Sequence, residues 1–149
     1  MTTRKTGQSG LSLVELLAVL AIMGLSLGMT ALYLKPAEAP LQTGAVLLEG
    51  YFRQARFKAM ANTSAYRVKP GNSGLLRSEY ANSCSDTTWT PSNSLDLALP
   101  EGVNMTESDW IVCFSARGVS SDNIVVTLTH PEYGTKQVEV LLGGTTQVL

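Results

Sequence analysis

From Leu11 to Leu34 the chain runs for 24 residues with a single charged side chain, Glu15. As a helix rising about 1.5 Å per residue this stretch measures roughly 36 Å, more than the roughly 30 Å hydrocarbon core of a bilayer. It is therefore expected to form a membrane-spanning helix over residues 11–34. Arg4 and Lys5 precede it with no acidic residue to offset them. The positive-inside rule then keeps the N-terminus in the cytoplasm and places everything after Leu34 outside.

Glu15 is the anomaly in this stretch. A carboxylate one turn inside an apolar helix costs about 2.5 to 3.5 kcal/mol on insertion scales, and such residues usually have a partner. One reading lets the side chain snorkel to the cytoplasmic interface. The other makes residues 1–10 a leader that ends at Gly10. Cleavage there frees the amine of Leu11, and Glu15, fifth in the mature chain, pairs with such an amine on a neighbouring subunit. An ordinary secretory signal is a poorer reading, because its apolar core is only about 7 to 15 residues. The small residues of Ala37-Glu38-Ala39 are also followed at once by Pro40.

The run Gly10-Leu11-Ser12-Leu13-Val14-Glu15-Leu16-Leu17 resembles the cleavage and assembly motif of type IV pilins and pseudopilins: a basic leader ending in Gly, an apolar first residue, Glu at the fifth position and a hydrophobic helix. Leu11 stands where that family usually has Phe. The resemblance implies a leader peptidase acting between Gly10 and Leu11, N-methylation of Leu11, and Leu11 and Glu15 as assembly residues. It also implies an inner-membrane assembly platform with its ATPase, and a polymer of pilin subunits.

With 149 residues, 44% of them hydrophobic, the chain has room for one modest domain beyond the apolar helix. Gly24 and Gly28 carry the spacing that lets helices approach closely. Pro36 and Pro40 interrupt or kink the helix. Leu41, Ala45, Leu48, Phe52, Ala55 and Ala59 then recur at spacings of four and three, predicting an amphipathic helix over about 41–62. Glu49 and Arg53 are set four apart on its polar side. The segment from Leu47 to Val68, with its Ala55-Arg56 and Tyr66-Arg67-Val68, resembles the H-type minor pseudopilins of type II secretion and the FimT-type pilus subunits.

After Asn62 the period changes to two. Ala65–Lys69, Leu75–Tyr80, Trp110–Phe114, Ile124–His130, Lys136–Leu142 and Thr145–Leu149 read as strands, the last three as consecutive hairpins. The expected class is α+β: a long N-terminal helix, first transmembrane and then amphipathic, packed on an antiparallel sheet spanning about 65–149, which is the pilin fold. The Ser, Thr, Asn and Asp density from Ala81 to Asn93 predicts a surface loop where function particular to this chain would sit.

Charge divides the extracytoplasmic part. Residues 35–78 carry seven basic side chains against two acidic, and residues 79–149 carry two against nine. The asymmetry suits contacts between subunits or a polyanion-binding surface. Arg53, Arg56, Lys58, Arg67 and Lys69 are the candidate phosphate contacts. FimT-like subunits that bind DNA resemble one another in a basic C-terminal stretch, and Leu141–Leu149 has no basic residue, so DNA is only weakly supported as a partner.

In the exported topology Cys84 and Cys113 favour a disulfide from the loop to a strand, with two buried thiols as the alternative. One histidine and two cysteines fall short of a four-ligand structural zinc site, so no metal is expected. No phosphate loop, nucleophile elbow or paired-histidine motif occurs, so no catalytic residue or cofactor is expected. The sequence thus points to a filament subunit, a minor pilin or H-like pseudopilin ahead of a major one. A membrane-anchored binding module that does not polymerise is the alternative.

Overall fold

The computed structural model describes residues 12–33, 39–71 and 75–149, with side chains from 12 to 24 and from 40 onward outside the gap at 72–74. The chain divides into two compact units, residues 1–36 and 37–149. The cleavage site at Gly10 and Leu11 and the first proline, Pro36, lie outside the described residues.

The first unit holds helix α1, Leu13–Tyr33. Ser12 takes the position just before it, and its carbonyl accepts from the backbone amides of Glu15 and Leu16 at 3.0 and 3.1 Å. Glu15 therefore stands three residues after a serine cap, the spacing of a capping box, where the helix dipole favours an acid. Among the described residues no helix is long and apolar enough to cross a membrane. The described side chains of α1 end at Gly24, so Leu25 to Leu34 of the expected span fall outside them.

The second unit opens with helix α2, Ala39–Ala61. Pro40 does not interrupt it. It sits in the first turn, where its missing N–H has no acceptor to lose. Every residue of the apolar stripe, from Leu41 to Ala59, is fully buried. The helix ends in a closed turn in which Ser64 N–H donates to Ala59 O at 3.1 Å and Thr63 N–H to Met60 O at 3.4 Å, with Thr63 at φ 49°.

Nine strands follow among the described residues: β1 Ala65–Pro70, β2 Leu75–Ala81, β3 Thr90–Pro91, β4 Leu97–Ala98, β5 Asn104–Met105, β6 Val112–Phe114, β7 Ile124–His130, β8 Gly134–Val140 and β9 Thr146–Val148. The single sheet expected from sequence is two among the described residues. A five-stranded sheet runs β3-β2-β1-β6 with β4 on the far part of β2, and a four-stranded sheet runs β5-β7-β8-β9. All pairs are antiparallel, β1 on β2 from Ala65↔Ala81 to Pro70↔Leu76 and β7 on β8 from Ile124↔Val140 to His130↔Gly134. The three hairpin strands β7, β8 and β9 match the sequence reading within two residues at each end.

Helix α2 lies against both sheets. Its stripe meets Val68, Leu76, Val112 and Phe114 from the first and Val126, Leu128, Val138 and Val140 from the second, giving one continuous core drawn from residues 41–148. Phe52 is at the centre, with its ring 5.8 Å from Trp110 and 6.5 Å from both Tyr51 and Phe114. Tyr51 donates its hydroxyl to Leu95 O at 2.7 Å, and burial pushes its pKa up to about 12.

Candidate functional site

On α1, the large apolar side chains from Leu13 to Met23 are 49 to 76% exposed. No described residue forms an ion pair with Glu15. The second unit closes its core without any of these side chains. A helical stretch that exposes this many large apolar side chains is built to be covered by something other than water.

The five candidate polyanion contacts do not form one free patch. Arg53 pairs with Glu49 at 2.6 Å and reaches Thr146 Oγ1 at 3.3 Å. Lys58 donates to Ser94 Oγ and, at 3.4 Å, to Ser94 O. Arg67 and Lys69 both converge on Glu79, at 2.5 and 2.7 Å. Burial alone would raise the Glu79 pKa, but the hydrogen bonds and charges of Lys69 and Arg67 outweigh it and hold the carboxyl below its usual value. Arg56 runs beneath two turns at Gly118 and Gly144, both at φ 75°. A Cβ on Gly144 would strike the Gly118 carbonyl and the Arg56 guanidinium, so both the backbone angle and the space require glycine there.

The predicted loop is present and firmly held. Cys84 and Cys113 form a disulfide with Cα atoms 5.9 Å apart, tying it to β6. The Asp86 carboxylate accepts from the amides of Asn82 and Ser83 at 3.0 and 3.2 Å and from Ser83 Oγ at 3.0 Å. Trp89 donates its indole N–H to Asp86 O at 2.7 Å and lies under the Arg67 guanidinium at 4.3 Å. His130 takes part in a turn, its Nδ1 accepting from Glu132 N at 3.2 Å beside the Tyr133 ring. Among the described residues no cluster of metal-ligating side chains occurs.

Residues 5–31 match the prokaryotic N-terminal methylation motif. The chain superposes on the minor pseudopilin EpsH from the type 2 secretion system of Vibrio cholerae, with TM-score 0.57, 11% identity and coverage of 74% of this chain and 96% of that one. The chain thus carries an N-terminal methylation motif and shares its fold with this pseudopilin. The type IV minor pilin FimU of Pseudomonas aeruginosa superposes as well, with TM-score 0.56, 14% identity and coverage of 73% of this chain and 87% of that one. At these identities the superpositions carry the fold alone. Comparison with curated protein sequences finds no match.

What set this chain apart in its sequence was the motif around Glu15 and the stripe on α2. Sequence reasoning missed the Glu79 pair and the course of Arg56. Neither has a sequence signal: Arg67 and Glu79 are twelve residues apart and meet only through the β1–β2 register.

Proposed function

We propose that the protein is a minor subunit of a type IV pilus or of a type II secretion pseudopilus. A leader peptidase removes residues 1–10 after Gly10, and the new amine of Leu11 is methylated. Residues 11–34 hold the subunit in the inner membrane with its N-terminus cytoplasmic and residues 35–149 outside. Assembly then moves the apolar helix from lipid into the filament core. Each apolar side chain is worth about 1.5 to 3 kcal/mol in leaving water, so extraction needs an ATP-driven platform and a core of neighbouring helices to receive it. In that core Glu15 faces the amine of a neighbouring Leu11 and sets the axial register. The minor type is preferred because both superposed proteins are minor subunits.

The observation that carries the proposal is the exposed apolar surface of α1, taken with a second unit whose core is complete in itself. A folded domain with a satisfied core does not need such a helix for its own stability. A bilayer followed by a bundle of like helices is the pair of environments that buries it.

Intact mass of protein recovered from cells tests the processing step. The expected chain begins at Leu11 and carries one methyl group. A chain beginning at Met1, Thr2 or Pro40 contradicts the proposal.

A further inference from the structure

Three adjoining depressions lie at the end of the domain where α2 gives way to β1, the end farthest along α2 from Ala39. The central one, of 610 Å³, is lined by Asn62, Ser64, Tyr66, Tyr80 and the stretch 91–94. A second, of 410 Å³, shares Ser64 and Tyr80 and adds Thr87, Thr88 and Thr90 from the disulfide-tied loop. A third, of 350 Å³, shares Pro91, Ser92 and Asn93 but is otherwise lined largely by charge, with Lys69, Arg77, Glu79 and Asp96. The first two, which share Ser64 and Tyr80, make one groove, and the charged third borders it.

Its floor is aromatic. The Tyr66 and Tyr80 rings stack with centroids 5.8 Å apart and planes 28° off parallel. Tyr66 is buried and its hydroxyl accepts from Asn62 Nδ2 at 2.8 Å, which fixes both side chains. Tyr80 lies above it, 40% exposed. Both walls are braced. Ser78 Oγ and the Tyr51 hydroxyl donate to Leu95 O at 3.1 and 2.7 Å, and Lys58 holds Ser94. The opposite wall is held by the Asp86 network and the Cys84–Cys113 bridge. A wall already ordered costs a ligand little further entropy.

The lining chemistry selects the ligand. No charged side chain lines the central depression, and the charged residue lining the second is an acid, Asp86, so a phosphate or sulfate there would lose its water without gaining an ion pair. Hydroxyl and amide groups dominate the walls, so an acyl chain would bury polar groups without partners. A ligand with many neutral hydroxyls satisfies those donors and acceptors, and the C–H face of a sugar ring suits the exposed Tyr80 ring. We propose that this groove binds a neutral oligosaccharide, with Tyr80 as the stacking platform and Asn62, Ser64 and Asn93 as hydroxyl partners. The connected depressions favour several linked sugars over one. The inference stands whether or not the subunit polymerises.

Saturation-transfer NMR on the full chain in a sugar-free detergent tests it, with chitotriose, maltotriose and lactose as separate probes and inorganic polyphosphate as the anionic one. Saturation of at least one neutral probe is expected, with binding weakened about tenfold by Tyr80→Ala. Asn93→Ala, at an exposed position, should weaken it as well. Phe57→Ala, which removes an exposed aromatic away from the groove, should bind as the parent does. Absence of binding by all three saccharides at about 10 mM, parental binding by Tyr80→Ala, or polyphosphate binding that Tyr80→Ala abolishes would each overturn the assignment. Filament incorporation of Tyr80→Ala at the parental level separates this outcome from the fate of the assembly proposal.

Discussion

Glu79 shows how far a single residue's role depends on its neighbours. Counted along the chain it opens the acidic half, yet it accepts both Arg67 and Lys69 from the basic half. Its pKa is lowered from 4.5, so the folded state holds its proton more weakly than the unfolded chain does. The stability it contributes is full above the unfolded value and is lost as pH falls through the lower folded one. Glu79→Gln should therefore be less stable than the parent at pH 7, and the gap should narrow under acid conditions below about pH 4. Urea unfolding at the two pH values checks this, and a gap that widens on acidification would contradict it. The composition made Arg67 and Lys69 visible as part of a basic segment. It could not reveal their partner, because charge counts carry no register.

At the scale of elements, what was legible depended on length. The α2 stripe spans more than four turns, so its period identified six of the helix's eight buried positions, Phe52 among them, and missed Gly44 and Tyr51. Phe52→Ala should lower unfolding stability by about 3 to 5 kcal/mol, because the cavity lies among Tyr51, Trp110 and Phe114 and cannot collapse easily. Denaturant midpoints measure it, and a loss under about 1 kcal/mol would mean Phe52 is not central. Strands β3, β4 and β5 have two residues each, too few to show alternation, and they fall in Ser-, Thr- and Pro-bearing stretches that read as loop. The division into two sheets was hidden for a related reason: a period of two marks a strand without naming its partner. The disulfide joins one such loop to β6. Opening it with Cys84→Ser and Cys113→Ser together should cost about 2 to 5 kcal/mol, read by thermal unfolding. No loss of stability would show that the loop is held by the Asp86 network alone.

Across the whole molecule, one unit completes its core and the other displays an apolar helix with a lone carboxylate. The contrast was legible from the sequence, since 24 residues with one charge are a composition as well as a pattern. The groove beside Tyr80 was not, because Asn62, Tyr80 and Asn93 meet only in the folded domain. A carboxylate in the apolar segment works against insertion by about 2.5 to 3.5 kcal/mol, so membrane retention does not account for Glu15. In a filament core, removing it would leave the neighbouring amine buried and unpaired, at about 3 to 5 kcal/mol per contact. The decisive measurement is the fraction of Glu15→Val recovered in sheared filaments, taken after cleavage at Gly10 and membrane levels are found equal to the parent. The filament account predicts a mutant retained in the membrane and depleted from filaments at least tenfold. Equal incorporation of mutant and parent would contradict it.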